Sequence, residues 1–334
     1  MLADVEECMP AYRCPRTKAN LVRLSPDALI CPAGHTYHIR NRKPILIDFS
    51  DSVVCEHDIV TSHAASQIPR KSYDGVASKV KRMLSPEKKE TRINIARLVS
   101  DLRDLGRPAR LLVVGGGTIG QGMRALYDNP DILTYSFDIY DSPHVQFIAD
   151  AHHIPLPDGF FDAVVVQAVL EHVLRPRQVV SEIWRVLADD GLVYAETPFM
   201  QQVHEGPYDF TRFTGSGHRY LFRDFDHLCS GAVGGPGVQF MWSVEHLTRG
   251  VFHSVRAGKI AKLAFFWTQY FDLIIPPTYA EDGASGIFFY GRRSTRTMTP
   301  HQIIAFYRGA QKSSHARMTS GATVATPGRT AGNT

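Results

Sequence analysis

The sequence predicts an α/β fold in which a doubly wound, mostly parallel sheet carries one small additional segment. Three observations support it: strand patterns alternate with helical patterns, the strands are rich in Val, Ile and Phe on both faces, and a glycine turn follows the first strand. This alternation is typical of parallel sheets covered by helices on two sides. A chain of 334 residues with 44% hydrophobic content is long enough for that core and one appendage.

An amphipathic helix opens the predicted α/β domain. Ile95, Leu98 and Leu102 recur at helical spacing, and Gly106 and Pro108 supply the stop signal. The first strand follows at LLVV, directly before the glycine turn. Later strands are expected at LTYSFD, VQFIAD, FDAVVVQAV and GLVYAETP, with a helix from about Pro176 to Leu187.

The alternating pattern ends after Pro198, where an aromatic and polar segment begins. This segment is too long for a bare connector, so residues 198–227 are predicted to form a functional lid. Beyond it, WSVEHLTRGVF and KIAKLAFFWTQYFDLII predict helices, GIFFYGRR a late strand and TPHQIIAFYRG a closing helix. The α/β domain is thus expected over residues 89–310. The tail, residues 311–334, is rich in Ser, Thr, Gly and Ala and is predicted to be disordered.

The glycine turn and an acid about twenty residues later form the most informative motif. Gly115, Gly117 and Gly120 let the backbone approach a ligand without a Cβ in the way, and a helix N-terminus is expected to follow. Asp138 ends the second strand and can accept both ribose hydroxyls of a nucleoside. Two chemistries remain open at this point, because dinucleotide sites hold a pyrophosphate at such a turn and S-adenosylmethionine sites place the methionine part there.

The residues after Asp138 resemble the type 11 branch of the class I S-adenosylmethionine-dependent methyltransferases. The resemblance covers roughly Arg110 to Thr197 and lies mainly in FIADAHHIPLPDGFFDAVVVQAVLEHVLRP. It implies a seven-stranded, Rossmann-like sheet, S-adenosyl-L-methionine as the cofactor and methyl transfer as the activity. The chain departs from the family at one position: members often carry an acid two residues before the turn that orients the methionine amino group, and Val113 stands there.

The resemblance also implies individual contacts with the cofactor. Asp150 with Ala151 would contact the adenine, and Gln167 with Ala168 would line the cofactor at the end of the fourth strand. The predicted cofactor-binding residues are Gly115, Gly117, Gly120, Asp138, Ile139, Asp150, Ala151 and Gln167.

The catalytic residues are predicted to lie in the lid. His204 is the candidate general base, because imidazole titrates near neutrality, and Asp209 is its candidate orienting partner. The alternative is a purely structural role, in which such polar side chains only anchor a long loop to the rest of the protein through hydrogen bonds. Glu171 and His172 are left unassigned, since capping or packing explains them as well as substrate contact does. No residue is assigned as a metal ligand in this domain.

The lid also suggests a class of acceptor. Its sequence VHEGPYDFTRFT resembles that of a subset of type 11 methyltransferases associated with sugar or cell-envelope biosynthesis. A small-molecule or glycan acceptor with a hydroxyl is therefore expected.

The N-terminal segment, residues 1–50, predicts a small β-ribbon. Cys14 and Cys31 each open a Cys-Pro turn and His35 follows, so the segment resembles the zinc ribbons that precede some RNA methyltransferases. Thr17 stands where the first ligand pair should close, and structural zinc normally takes four ligands. A degenerate ribbon held by apolar residues is expected, followed by a linker over residues 51–88.

Three other functions fit parts of the pattern. One is an RNA methyltransferase guided by the ribbon. The net charge of +4 is modest and the basic residues are scattered. The charge therefore allows a nucleic acid partner but does not require one. An NAD-dependent oxidoreductase and a non-catalytic methyltransferase-like binding module are the others. The chain has no apolar run of membrane-spanning length, and its five cysteines do not suggest a disulfide framework, so a cytoplasmic location is expected. The pattern does not predict an oligomeric state.

Overall fold

The computed structural model describes residues 1–60 and 88–311. Eleven strands in these ranges form one continuous sheet. They are β1 Val22–Ser25, β2 Ala28–Ile30, β3 Thr36–Arg40, β4 Lys43–Leu46, β5 Ala109–Val114, β6 Ile132–Asp138, β7 Phe147–Ala149, β8 Phe161–Gln167, β9 Leu187–Pro198, β10 Phe225–Val233 and β11 Gly286–Arg293. Their spatial order is β1-β2-β3-β4-β7-β6-β5-β8-β9-β11-β10.

The seven strands from β5 onward form the predicted Rossmann-like, doubly wound sheet. β7, β6, β5, β8 and β9 run parallel, while β11 and β10 are antiparallel to their neighbours. Val113 of β5 pairs with Val165 of β8, which pairs with Tyr194 of β9. Because parallel strands end at the same edge, the turns after β5, β6, β8 and β9 meet there.

Helices cover both faces of this sheet. The described α-helices are α1 Val5–Cys8, α2 Glu56–Val60, α3 Lys89–Arg103, α4 Arg124–Tyr127, α5 Pro176–Val186, α6 Gly215–Leu221, α7 Pro236–Phe252, α8 Val255–Ala264, α9 Pro277–Gly283 and α10 Pro300–Phe306. On one face, α3 packs Ile95 and Leu98 into the same core cluster as Val113. On the other, α5 packs Ile183 into the cluster that contains Val114. Successive β5 side chains therefore face opposite layers, as the pleat requires.

Two helix predictions differ from the structure. The helix expected directly after the glycine turn begins only at Arg124 and has four residues, because the chain first continues as an irregular loop. The helix expected over KIAKLAFFWTQYFDLII ends at Ala264 and continues as a 3-10 helix, Phe266–Leu273. Within the described ranges, no helix is long and apolar enough to cross a membrane.

The N-terminal ribbon extends the main sheet, whereas the sequence predicted a separate segment over residues 1–50. β4 pairs in parallel with β7 through Ile45 and Ile148, and the Tyr12 ring packs edge-on against Phe147 with 5.1 Å between ring centroids. Apolar side chains on β4 and β7 explain this junction. The ribbon is therefore part of the same hydrophobic core.

The candidate zinc ligands of the ribbon do not form a metal-binding group among the described residues. Cys14 is buried, and its Sγ contacts the Tyr37 hydroxyl at 3.1 Å and accepts from the Thr17 amide at 3.4 Å. In the described part of the chain, Cys14, Cys31 and His35 do not form a group whose ligand atoms lie within 4.8 Å of one another. The resemblance to a zinc ribbon is not confirmed.

The segment predicted as a lid, residues 198–227, contains several elements. After β9 the chain runs irregularly through a 3-10 helix at Gly206–Tyr208, and then forms α6. Residues 225–227, which were assigned to the lid, belong to β10. The predicted linker and tail fall largely on residues 61–87 and 312–334, which lie outside the described residues.

Candidate active site

A cavity of about 510 Å³ lies at the edge where β5, β6, β8 and β9 end. Its walls include Gly115 after β5, Asp138 at the end of β6, Gln167 at the end of β8 and Thr197 near the end of β9. His204 and Tyr208 of the lid segment close one side. The cavity thus lies between the predicted cofactor residues and the predicted catalytic segment.

The glycine turn forms a tightly packed floor of this cavity. Gly115 has a φ of +74°, and a Cβ built on it would lie 2.2 Å from Cγ2 of Val169. A Cβ on Gly120 would lie 1.8 Å from Oε1 of Gln167. A side chain is therefore excluded at Gly115, and one at Gly120 would have to displace the Gln167 amide, so a ligand meets bare backbone at this turn.

Asp138 is fixed against the glycine turn. Its Oδ2 accepts a hydrogen bond of 2.8 Å from the Gly117 amide, and its Oδ1 accepts one of 2.7 Å from the Ile139 amide. The residue is 9% exposed and lines the cavity together with Ile139. A carboxylate held in this way presents fixed negative charge where β6 ends.

Asp150 has a structural role in addition to its place on the cavity wall. It begins the 3-10 helix Ala151–His153, where it accepts hydrogen bonds from the His152 amide at 2.9 Å and the His152 ring at 2.6 Å. Ser52 donates to its other oxygen. Although burial alone would raise the pKa of Asp150, these hydrogen bonds lower it. The capping role considered for this residue is thus present, and Asp150 and Ala151 both line the cavity.

Glu196 is a buried acid on the cavity wall that the sequence analysis missed. It pairs in register with Gln167, whose Nε2 donates to Oε2 of Glu196 at 2.7 Å. Thr91 donates to Oε1 at 2.6 Å, and the Tyr194 hydroxyl donates to the same oxygen. Burial raises the pKa of Glu196. The available signal was an acid near the end of the fifth strand of the core sheet, in GLVYAETP.

Lys88 faces the same part of the cavity. Its ammonium lies 5.8 Å from the centroid of the Trp242 ring, and both residues line the cavity. Burial lowers the pKa of Lys88, with Asp272 and Glu90 acting in the opposite direction. The cavity is therefore bordered by the acid Glu196, near the end of β9, and by the base Lys88, which follows the predicted linker.

Glu171 also lines the cavity and is fully buried. Neither of its side-chain oxygens has a hydrogen-bond partner among the described residues, and burial raises the pKa of Glu171 to about 8. Its backbone carbonyl accepts from the amides of Phe210 and Thr211, which anchors the lid segment to the turn after β8. Sequence reasoning left this residue unassigned.

The structure brings the predicted catalytic pair together. Nδ1 of His204 lies 3.4 Å from Oδ2 of Asp209, and the His204 amide donates to the same oxygen at 3.0 Å. Arg212 donates to Asp209 at 2.7 Å. Although burial alone would raise it, the hydrogen bonds from Arg212 and His204 lower the pKa of Asp209 to about 2. Asp209 is thus a carboxylate at neutral pH.

His172 and Glu171 complete a cluster around His204. Nε2 of His204 lies 3.9 Å from Oε1 of Glu171, and Nε2 of His172 lies 3.6 Å from the same oxygen. The two imidazole rings meet edge-on with 5.0 Å between centroids. His172 is held by a contact of 2.7 Å between Nδ1 and the Tyr208 carbonyl.

Comparison with known proteins finds matches to methyltransferases. The methyltransferase domain family matches residues 129–195, which contain Asp138, Asp150 and Gln167. The ubiquinone/menaquinone biosynthesis C-methyltransferase of Methylobacterium nodulans is 28% identical over 191 residues, which are 50% of this chain and 70% of that protein. These matches support the assignment of the chain to the class I S-adenosylmethionine-dependent methyltransferases.

Two further proteins are similar to this methyltransferase. The malonyl-[acyl-carrier protein] O-methyltransferase of Geobacter sulfurreducens is 34% identical over 98 residues, which are 25% of this chain and 37% of that protein. Haemonchus contortus phosphoethanolamine N-methyltransferase 2, solved in complex with S-adenosyl-L-methionine, has a TM-score of 0.39 at 14% identity, over 62% of this chain and 53% of that one.

The family assignment decides between the two chemistries that the glycine turn left open. The cofactor of this methyltransferase is S-adenosyl-L-methionine, as the resemblance implied. The cavity fits such a group, because bare backbone at Gly115 and the fixed carboxylate of Asp138 face the same space. The relatives act on different kinds of atoms by their names, so they do not fix the acceptor.

Proposed function

We propose that this methyltransferase transfers the methyl group to a hydroxyl of a small-molecule or glycan acceptor. The observation that carries the proposal is the orientation of His204, whose Nδ1 faces the Asp209 carboxylate while the residue lines the cavity. A hydroxyl must lose its proton as it is methylated, and an imidazole held by a carboxylate is suited to accept it.

The chain's own residues would carry out the acceptor side of this reaction. S-adenosylmethionine supplies a methyl group bound to a sulfonium. The sulfur is the leaving group and becomes a neutral thioether. The acceptor oxygen forms the new O–CH3 bond, and its proton passes to Nε2 of His204. Asp209 stabilises the resulting imidazolium, while the lid segment aligns the acceptor and keeps water out. The same contacts also tie the lid to the body of the protein, so His204 and Asp209 would combine both roles.

The cofactor would lie along the ends of β5, β6 and β8. Asp138 is proposed to accept hydrogen bonds from the ribose hydroxyls, and the backbone of Gly115, Gly117 and Gly120 to pack against the ribose and methionine parts. The adenine is proposed to contact Ile139, Asp150 and Ala151, and Gln167 with Ala168 to line the cofactor beyond the turn. All of these except Gly117 line the cavity.

Glu196 is proposed to perform the task of the acid missing at Val113. Tyr194 is in register with Val165 and Val113, so Glu196, two residues further along β9, points to the same face of the sheet beyond Val113. Its carboxylate would hold the methionine ammonium, and the Lys88 ammonium would pair with the methionine carboxylate. A cationic partner would also favour the ionised form of buried Glu196.

Product analysis tests the proposed acceptor chemistry. The protein would be incubated with methyl-labelled S-adenosylmethionine and a panel of hydroxylated sugars, glycans and small molecules, and the labelled product located by NMR. The label is expected on oxygen. Labelling of carbon or nitrogen in the true acceptor would overturn the hydroxyl assignment. The variant His204→Ala should lose turnover and keep cofactor binding, whereas His301→Ala, at an exposed position in α10, should keep both.

A further inference from the structure

Three potential metal ligands converge where the lid segment borders the cavity, beside the proposed acceptor. Oε1 of Glu171 lies 3.6 Å from Nε2 of His172 and 3.9 Å from Nε2 of His204. One ligand atom from each of the three residues lies within 4.8 Å of the others. Two ligands of a tetrahedral zinc ion, each at about 2.1 Å, are separated by about 3.4 Å. The two separations from Glu171 therefore exceed that spacing by a few tenths of an ångström, and the two imidazole ligand atoms lie within 4.8 Å of each other.

The second nitrogen of each imidazole is already engaged. Nδ1 of His172 lies 2.7 Å from the Tyr208 carbonyl, which can only accept, so Nδ1 carries the proton and Nε2 keeps a lone pair. Nδ1 of His204 lies 3.4 Å from the Asp209 carboxylate, which favours the same tautomer. Metal-binding histidines are oriented in this way, with the outer nitrogen donating to a carbonyl or a carboxylate.

Glu171 provides an independent observation that points to a ligand. Its side chain is fully buried, and both carboxyl oxygens lack hydrogen-bond partners among the described residues. Leaving such a group without a partner is costly, and a cation between Glu171 and the two imidazoles would remove the cost. Arg212 acts on Glu171 only through the longer-range attraction of its charge, because its own hydrogen bonds go to Asp209 and to lid carbonyls.

We propose that Glu171, His172 and His204 bind one divalent transition-metal cation, with an open coordination position facing the cavity. Two imidazole nitrogens and one carboxylate oxygen suit Zn²⁺, Mn²⁺ or Fe²⁺ better than Mg²⁺ or Ca²⁺. All three residues line the cavity, so an acceptor can reach the open position.

The role of the cation in the reaction rests on the proposed function, the methylation of a hydroxyl. A cation bound to the acceptor oxygen would lower the pKa of the hydroxyl, which would release its proton to water before the O–CH3 bond forms and the S–CH3 bond breaks. His204 would then be a ligand, because its Nε2 lone pair is occupied. In the cation-free protein, the same nitrogen is available as the base proposed above.

Metal binding by the purified full-length protein tests the site without an activity assay. After removal of any affinity tag, elemental analysis and calorimetric titration with Zn²⁺ and Mn²⁺ should show about one equivalent bound at this site. Co²⁺ should give the visible absorption of a site with mixed nitrogen and oxygen ligands. Glu171→Gln and His204→Ala should each abolish or strongly weaken binding. Asp209→Asn should weaken binding by about 10- to 100-fold, the range found for residues that orient a ligand.

Two control variants give the titrations a clear meaning. His301→Ala removes an exposed histidine far along the chain and should leave metal binding unchanged. Cys31→Ser tests the N-terminal ribbon: zinc that disappears in this variant and persists in Glu171→Gln belongs to the ribbon and overturns the proposal. Unchanged binding of S-adenosylhomocysteine would show that each variant is folded. His204 lies on the lid segment, so shortening its side chain to Ala does not create a cavity in the hydrophobic core.

The inference and the proposed function fail in different ways. A wild-type protein that binds neither Zn²⁺, Mn²⁺ nor Co²⁺ overturns the metal site, even if hydroxyl methylation is found. A protein that binds metal through Glu171 and His204 but methylates carbon or nitrogen overturns the hydroxyl acceptor and leaves the metal site standing.

Discussion

The Gly117 amide donates a hydrogen bond of 2.8 Å to Asp138, which lies 21 residues further along the chain. This bond joins the turn after β5 to the end of β6, so the two most informative parts of the sequence motif form one structural unit. It orients the carboxylate at the wall of the cavity, where the cofactor ribose is proposed to bind.

Replacing Asp138 by Ala is expected to weaken binding of S-adenosylhomocysteine by at least about tenfold, because hydrogen bonds to a charged group contribute about 1.5–3 kcal/mol. Calorimetric titration measures the change. Asp104→Asn, at the exposed end of α3, should bind like the wild type. Equal affinities of Asp138→Ala and the wild type would remove Asp138 from the cofactor site.

Replacing Glu196 by Gln is expected to weaken binding of S-adenosylhomocysteine about tenfold or more, since the proposed contact with the methionine ammonium is lost. Methylthioadenosine lacks that ammonium, so its affinity should be the same in the variant and the wild type. Both titrations are done on the same protein preparation. A parallel loss for the two ligands would mean that Glu196 only supports the structure around Thr91, Tyr194 and Gln167.

Much of the proposed cofactor site could be predicted from the sequence as a structural unit, because its signals are local. Apolar runs mark β5, β6, β8 and β9, and the turn glycines and Asp138 stand at fixed offsets from them. Glu196 was missed because its role depends on strand register. Its partner Gln167 is 29 residues away in the chain, and only the pairing of β8 with β9 places the two side by side.

The acceptor side was less predictable, because its chemistry depends on contacts between distant segments. His204 and Asp209 are close in sequence, so their pairing could be anticipated. The isolation of Glu171 could not, since it results from the lid folding over the turn after β8. In the same way, the junction of β4 with β7 depends on packing across the sheet, and no local pattern in the ribbon indicates it.

Replacing His204 by Ala is expected to reduce turnover by about a hundredfold or more, the usual contribution of a positioned proton acceptor. Cofactor affinity should be unchanged, because His204 is proposed to face the acceptor and not the cofactor. Steady-state kinetics with the identified acceptor and calorimetry with S-adenosylhomocysteine separate the two effects. Turnover close to that of the wild type would exclude His204 as the proton acceptor.

Acid sensitivity is expected to depend on His218. This residue in α6 is 1% exposed, and burial lowers its pKa to about 3. The unfolded chain binds a proton at His218 below about pH 6.5 while the folded protein does not, so stability falls progressively from pH 6.5 towards pH 3. Between pH 7 and pH 5 the free energy of unfolding should decrease by about 2 kcal/mol from this group.

Urea titrations at pH 7 and pH 5 measure this effect. In His218→Leu the difference in unfolding free energy between the two pH values should be smaller than in the wild type by about 2 kcal/mol, whatever the absolute stability of the variant. His301→Asn, at an exposed position, should match the wild type. An unchanged pH difference in His218→Leu would show that His218 is protonated in the folded protein as readily as in the unfolded chain.

A crystal structure of the protein with S-adenosylhomocysteine tests the central claim, the placement of the cofactor, most directly. The ribose hydroxyls are predicted to lie within hydrogen-bonding distance of Asp138, the methionine amino group at Glu196, and the thioether sulfur on the side of the cavity that faces His204. A cofactor bound elsewhere, or one whose ribose and amino group contact neither acid, would contradict the account.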